Sequence, residues 1–244
     1  MLLRPLLPAV LALAGALTAE AVQAAPSLQA LQTALNDPSP AALTAVLEPG
    51  VGLDPAEIEQ RRALLRQRFP DAQWRVQPGS PLRDGRSTTE LVVTGSRQEG
   101  PTRFRLEAKQ QLVFSGSGAR FNRQEVIRES AILRSGDGAL PVSLNIPDAV
   151  LTGQRYDLDV VFDDPLEGAV IAGSIKPVSA AELLRLQTPD LPLEALGGGG
   201  LFKSVQAPYQ PGSQTWAVLL VHPNGIVAAS KLVRVVADRQ ALQP

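Results

Sequence analysis

Arg103-Phe104-Arg105-Leu106-Glu107-Ala108-Lys109-Gln110-Gln111-Leu112-Val113-Phe114-Ser115 is the stretch that decides the fold. Phe104, Leu106, Ala108, Leu112 and Phe114 fall on one side of an extended chain, and Arg103, Arg105, Glu107 and Lys109 on the other. A period of two with one apolar and one charged side describes a long strand of an antiparallel sheet, packed on one face and wet on the other. Working outward, Trp74 to Val76, Thr88 to Arg97 and Arg120 to Leu133 read as its companions. Gly79 to Gly85, Gly100-Pro101 and Gly116 to Gly118 supply the turns.

Upstream the period is helical. Leu28, Leu31 and Leu35 recur at helical spacing, Ser39-Pro40 opens a second short helix through Leu47, and Pro49-Gly50 stops it. A third helix begins with Asp54 as N-cap, Pro55 at its first position and Glu57 completing a capping box, and Pro70 ends it. Its buried side is read as Ile58, Leu64, Leu65 and Phe69, leaving Arg61, Arg62, Arg66 and Arg68 as a solvated face or a dock for carboxylates. Further upstream, Arg4 precedes an apolar run from Leu6 to Leu17. Val22-Gln23-Ala24 has the small residues of a signal-peptidase site, so residues 1–24 read as a signal peptide. The expectation is export to the periplasm or another extracytoplasmic space, a thylakoid lumen included, with membrane contact only through a partner.

Downstream of Ser135 to Ala139, read as a hinge, strands are shorter and turns more frequent. Val142 to Ile146, Arg155 to Phe162, Ala169 to Ile175, Leu201 to Gln206, Thr215 to Val221 and Ile226 to Val236 fit an antiparallel sandwich. An insertion at 179–200 starts with a helical stretch, Ala180 to Leu186, and ends in glycines. The fold class expected is therefore α+β: helices packed on a curved antiparallel sheet (a cone), residues 25–138, followed by an all-β sandwich domain, residues 139–244.

On that order of helices and long strands, Leu28 to Leu133 resembles the nuclear transport factor 2-like superfamily, the cystatin-like α+β cone folds. The second half resembles an immunoglobulin-like sandwich without its cysteine pair. The first resemblance implies a ligand site inside the cone, and a homodimer through the sheet's outer face, against which Arg103, Arg105, Glu107 and Lys109 count. It also implies that an enzyme of this kind would carry an acid or base inside the cone, where burial tunes it.

Composition removes many chemistries. Zero Cys excludes disulfides and thiolate sites, and one His, His222 at a hairpin, excludes a histidine metal cluster, so no metal or cofactor is expected. With 23 basic and 24 acidic side chains and four Lys in all, no basic field exists for nucleic acid. The glycines at 197–200 precede Phe202-Lys203 rather than Gly-Lys and read as a joint, not a phosphate loop.

The remaining candidates are few. Glu125 and Glu129 share a parity with Phe121, Ile127 and Leu133, and so are the catalytic candidates of the cone. Trp74, Gln110 and Phe104 are its ligand-binding candidates, and Phe202 and Tyr209, with Trp216, are candidates for a partner contact. The expectation is an exported, non-enzymatic binding or assembly protein for a small apolar ligand, a peptide segment or an unidentified protein partner. The alternative is a cone enzyme, an isomerase, dehydratase or hydrolase, using a buried carboxylate.

Overall fold

The computed structural model describes residues 26–136, 140–163, 171–179, 181–182, 190–196 and 198–242. Outside them lie the expected signal peptide, hinge residues 137–139, the start of the strand expected at Ala169, Gly197, and all of the helical stretch at 180–186 except Ala181 and Glu182.

Among the described residues the α-helices with assigned bounds are α1 (Leu28–Asn36), α2 (Ala41–Val46) and α3 (Pro55–Arg68). The strands are β1 (Leu47–Val51), β2 (Gln73–Pro78), β3 (Thr89–Glu99), β4 (Thr102–Ser117), β5 (Arg120–Ser135), β6 (Val142–Asn145) and β7 (Ala149–Leu151). They continue as β8 (Arg155–Phe162), β9 (Ile171–Val178), β10 (Glu194–Leu196), β11 (Gly200–Gln206), β12 (Gly212–His222) and β13 (Gly225–Val236).

The expected plan, a helix-on-sheet cone followed by a separate sandwich, is overturned. The chain is mostly antiparallel β, and ten strands form one sheet in the order β10-β9-β12-β13-β5-β4-β3-β2, with β1 beside β5 and β7 beside β13. The physical reason lies in β5. It runs on past Leu133, and Ser130 to Arg134 pair with Lys231 to Val227 of β13, so the backbone groups that would end one sheet are spent joining the next. The other sheet, β11-β8-β6, is three-stranded and pairs with none of these strands.

Residues directly opposed in an antiparallel ladder share a face, and this places the two cores. Leu133 and Ala131 of β5 oppose Leu106 and Ala108 of β4 and look toward the helices. Ile132 opposes Ala229 of β13, and both pack into the core made with the three-stranded sheet. Adjacent residues of β5 thus serve different cores. The helices lie on one face of the large sheet at its β2–β5 wing, and the small sheet lies on the other face at its β9–β13 wing.

Three local devices position the helical layer. Asp54 caps α3 as read, its Oδ1 accepting from the Ala56 N–H at 2.9 Å, but the Glu57 carboxylate pairs with Arg61 instead of closing the box. No glycine ends α1, and the carbonyls of its last turn and of the loop that follows are met by guanidinium groups. Arg62 Nη1 donates to the Ala34 oxygen at 2.7 Å, Arg62 Nη2 to that of Ser39 at 3.1 Å, and Arg66 Nη2 to that of Asn36 at 2.6 Å. Finally, α1 seals the edge of the sheet: Asn36 Oδ1 accepts from the Trp74 N–H at 3.0 Å, Asn36 Nδ2 donates to the Trp74 oxygen at 2.7 Å, and Gln32 Oε1 accepts from the Val76 N–H at 2.8 Å. Two amide side chains thereby stand in for a missing strand beside β2.

Candidate functional site

Between the helices and the sheet lies a cavity of about 310 Å³. Its walls are mainly apolar, with Leu31 and Leu35 from α1, Ile58 and Leu65 from α3, and Trp74, Leu91, Ala108 and Phe114 from the sheet. Ser230 of β13 also reaches it, so a residue from the second half of the chain completes a site that the first half mostly builds. Larger concavities exist on the surface, but they are grooves walled by charged side chains, such as the one bounded by Arg68, Glu99 and Arg103. The apolar cavity is the better candidate for a small-molecule site, at the lower end of the usual size range of about 300–1,000 Å³.

Three sequence-derived candidates meet in it. Trp74, Gln110 and Glu129 all line the cavity, and Gln110 Nε2 donates to Glu129 Oε2 at 2.5 Å across the β4–β5 ladder. Phe104 does not join them; it lies further along β4, where the guanidinium of Arg97 stands 5.0 Å from its ring centroid.

Glu125 is on the other face of the sheet, although its parity matches that of Glu129. Gln111 opposes Arg128 while Leu112 opposes Val126, so Ile127 is an extra residue in β5, a bulge that reverses the alternation beyond it. Gln124 therefore faces the cavity and Glu125 faces out, where its Oε2 pairs with Arg86 Nη1 at 2.6 Å. The bonds that the Arg86 guanidinium donates to the Asp84 and Glu125 carboxylates raise it above its ordinary value. Glu125 is thus a surface ion-pair partner and not a group inside the helical layer.

The arginines of α3 divide. Arg61 is half-exposed beside Glu57, whereas Arg62 is 3% exposed and points inward between Ile58 and Leu65. Neither the solvated face nor the carboxylate dock describes Arg62, whose partners are α1 carbonyls and Glu59 at 2.6 Å. Burial, then the charge of Arg62, lowers the Arg66 guanidinium, which stacks 5.1 Å over the Trp74 ring. The signal for this was present: Arg62 sits at the i+4 position from Ile58 and three before Leu65, on the apolar stripe itself.

The partner-contact candidates also divide. Phe202 is 66% exposed on the outer side of β11, opposite Asp159 of β8, and Tyr209 is 79% exposed just beyond that strand. Trp216 is buried in the second core, its Nε1 donating to the Tyr156 hydroxyl at 3.0 Å. Among the described residues no cluster of His, Asp or Glu is arranged to hold a metal, and no helix is long and apolar enough to cross a membrane.

Residues 137–236 match a family described as a domain of unknown function (DUF8623). That stretch ends with the last residue of β13 and covers β6 to β13, the wing that contributes Ser230 to a cavity built mostly by the other. No curated protein matches the chain.

Proposed function

We propose that this is an exported, non-enzymatic binding protein whose helix-covered cavity takes a small, largely apolar ligand. The observation that carries the reading is the cavity itself: an apolar chamber in which Gln110 and Glu129 form one bonded polar pair. Export rests on the N-terminal apolar run and its small-residue site. Phe202 and Tyr209, apolar and exposed at the edge of the three-stranded sheet, are the surface we assign to a protein partner.

The enzyme alternative has less support. The Glu129 carboxylate is engaged by an amide, and the other polar cavity residues are Arg61, Arg62, Gln124 and serines, none of which is a general acid or base near neutral pH.

Trp74 in the cavity wall makes the test direct. Titration with straight-chain eight-carbon amphiphiles should change its emission saturably at one site. Trp74→Phe should abolish the signal, and Ala131→Leu, which fills the chamber, should weaken binding at least tenfold while the thermal midpoint stays within a few degrees. No saturable response to any of them would overturn the binding reading.

A further inference from the structure

Resting on that reading, we infer that the ligand is a cationic amphiphile, an apolar body ending in a protonated amine held by Glu129. The argument is a balance of charges and of hydrogen-bonding groups. Two cations reach the chamber from α3, and both are spent. Arg61 pairs with Glu57, and Arg62 pairs with Glu59 while donating to the carbonyls of Ala34, Asp37 and Ser39. Glu129 has no cationic partner within ion-pair distance among the described residues. Its one protein donor among the described residues is the Gln110 amide on Oε2, which orients the carboxylate without cancelling its charge.

What remains on offer is acceptors. Glu129 Oε1 and Gln110 Oε1 take no protein donor among the described residues, and they belong to side chains directly opposed on one ladder. An ammonium has three donors and no acceptor, which complements such a pair. A carboxylate ligand would bring a second anion into an apolar chamber, at a cost that rises as water is excluded. A hydroxyl would fill one acceptor and leave the charge unmet. The walls suit the rest of the molecule: Leu31, Leu35, Ile58 and Leu91 contact an alkyl body, and the aromatic rings of Trp74 and Phe114 tolerate a nearby cation.

The experiment compares octylamine, 1-octanol and octanoate at pH 7 by calorimetry against the full chain, Glu129→Gln and Glu125→Gln. Octylamine should bind at least tenfold more tightly than 1-octanol, with octanoate weakest. Glu129→Gln should bring octylamine to the level of the alcohol. Glu125→Gln, which removes the same charge from the outer face, should leave the order intact. Equal binding of amine and alcohol, or an amine preference that survives in Glu129→Gln, overturns the inference and leaves the binding reading standing. Failure of all three to bind overturns the binding reading itself. The unsubstituted chain alone decides between amine and alcohol should Glu129→Gln not fold.

Discussion

On the β9–β13 wing, Leu158, Val160, Leu220, Val227 and Val233 have no solvent-accessible surface, and the layer between the two sheets is almost entirely apolar, aliphatic side chains packed with Tyr156, Phe162 and Trp216. On the β2–β5 wing the layer between helices and sheet includes a buried arginine, two amides bonded to a strand edge, and a chamber of about 310 Å³. Close packing makes the first wing rigid and leaves it no room for a guest. The second is held by directional bonds from side chains to backbone, which fix helix positions without filling the space between them. A sheet strapped to its cover by polar staples is one way to keep a solvent-accessible cavity between the two layers in a small protein.

The comparison can be broken most forcefully at its two anchors. Arg62→Ala should cost about 3–5 kcal/mol, because the Glu59 charge and several α1 carbonyls lose their shared partner, and Arg62→Lys should recover only part of it. Leu158→Ala in the aliphatic wing should cost about 2–5 kcal/mol through lost packing. Chemical denaturation followed by tryptophan emission reads both. Trp74 and Trp216 report on different wings, and the β5–β13 ladder predicts coincident transitions in single-tryptophan variants. Separate midpoints would show that the wings unfold independently.

A smaller effect belongs to the edge staple. Asn36→Ala strips two bonds from the Trp74 backbone and should cost about 1–3 kcal/mol, with faster amide exchange confined to β2. Smaller again is an alkaline effect in the other wing. Burial raises the Tyr156 hydroxyl above its ordinary value, its bond from Trp216 opposing this only in part. The folded state therefore holds the Tyr156 proton more tightly than the unfolded chain does. Its contribution is complete below the usual tyrosine range near pH 10 and is lost as pH climbs through the higher folded value. Tyr156→Phe should flatten that decline in a pH series of thermal midpoints. The smallest change should be Glu125→Gln: its pair with Arg86 is half-exposed, and removing it should shift stability by no more than about 1 kcal/mol.

Much of the sheet was legible because alternation is a local property. The faces of Arg103 to Gln110 follow from sequence, as do the cap of α3 and the hairpin at His222 to Gly225. Of the site, Trp74, Gln110 and Glu129 were within reach for the same reason. What escaped was non-local or irregular. The pairing of β5 with β13 joins segments about a hundred residues apart, and each strand reads equally well as the edge of its own sheet. The Ile127 bulge turns Glu125 out of the chamber, yet an inserted residue leaves no mark on an alternating pattern that already mixes charge with apolar side chains. Arg62 departs from its expected place because arginine is ordinarily a surface residue, and its buried partners are carbonyls, which every sequence has.

The strand shared by the two wings also bears on how far this architecture can be divided. The stretch matching the domain of unknown function begins after β5, so a fragment cut at 137–236 would lack the neighbour that hydrogen-bonds Val227 to Lys231. It would also lose Ile132 from its core and present a bare strand in the middle of what had been a sheet. Expressed alone, such a fragment should pair with itself or aggregate. Grafted into another chain, it would need a host strand in the place of β5, which makes the unit an open module that is completed by whatever precedes it.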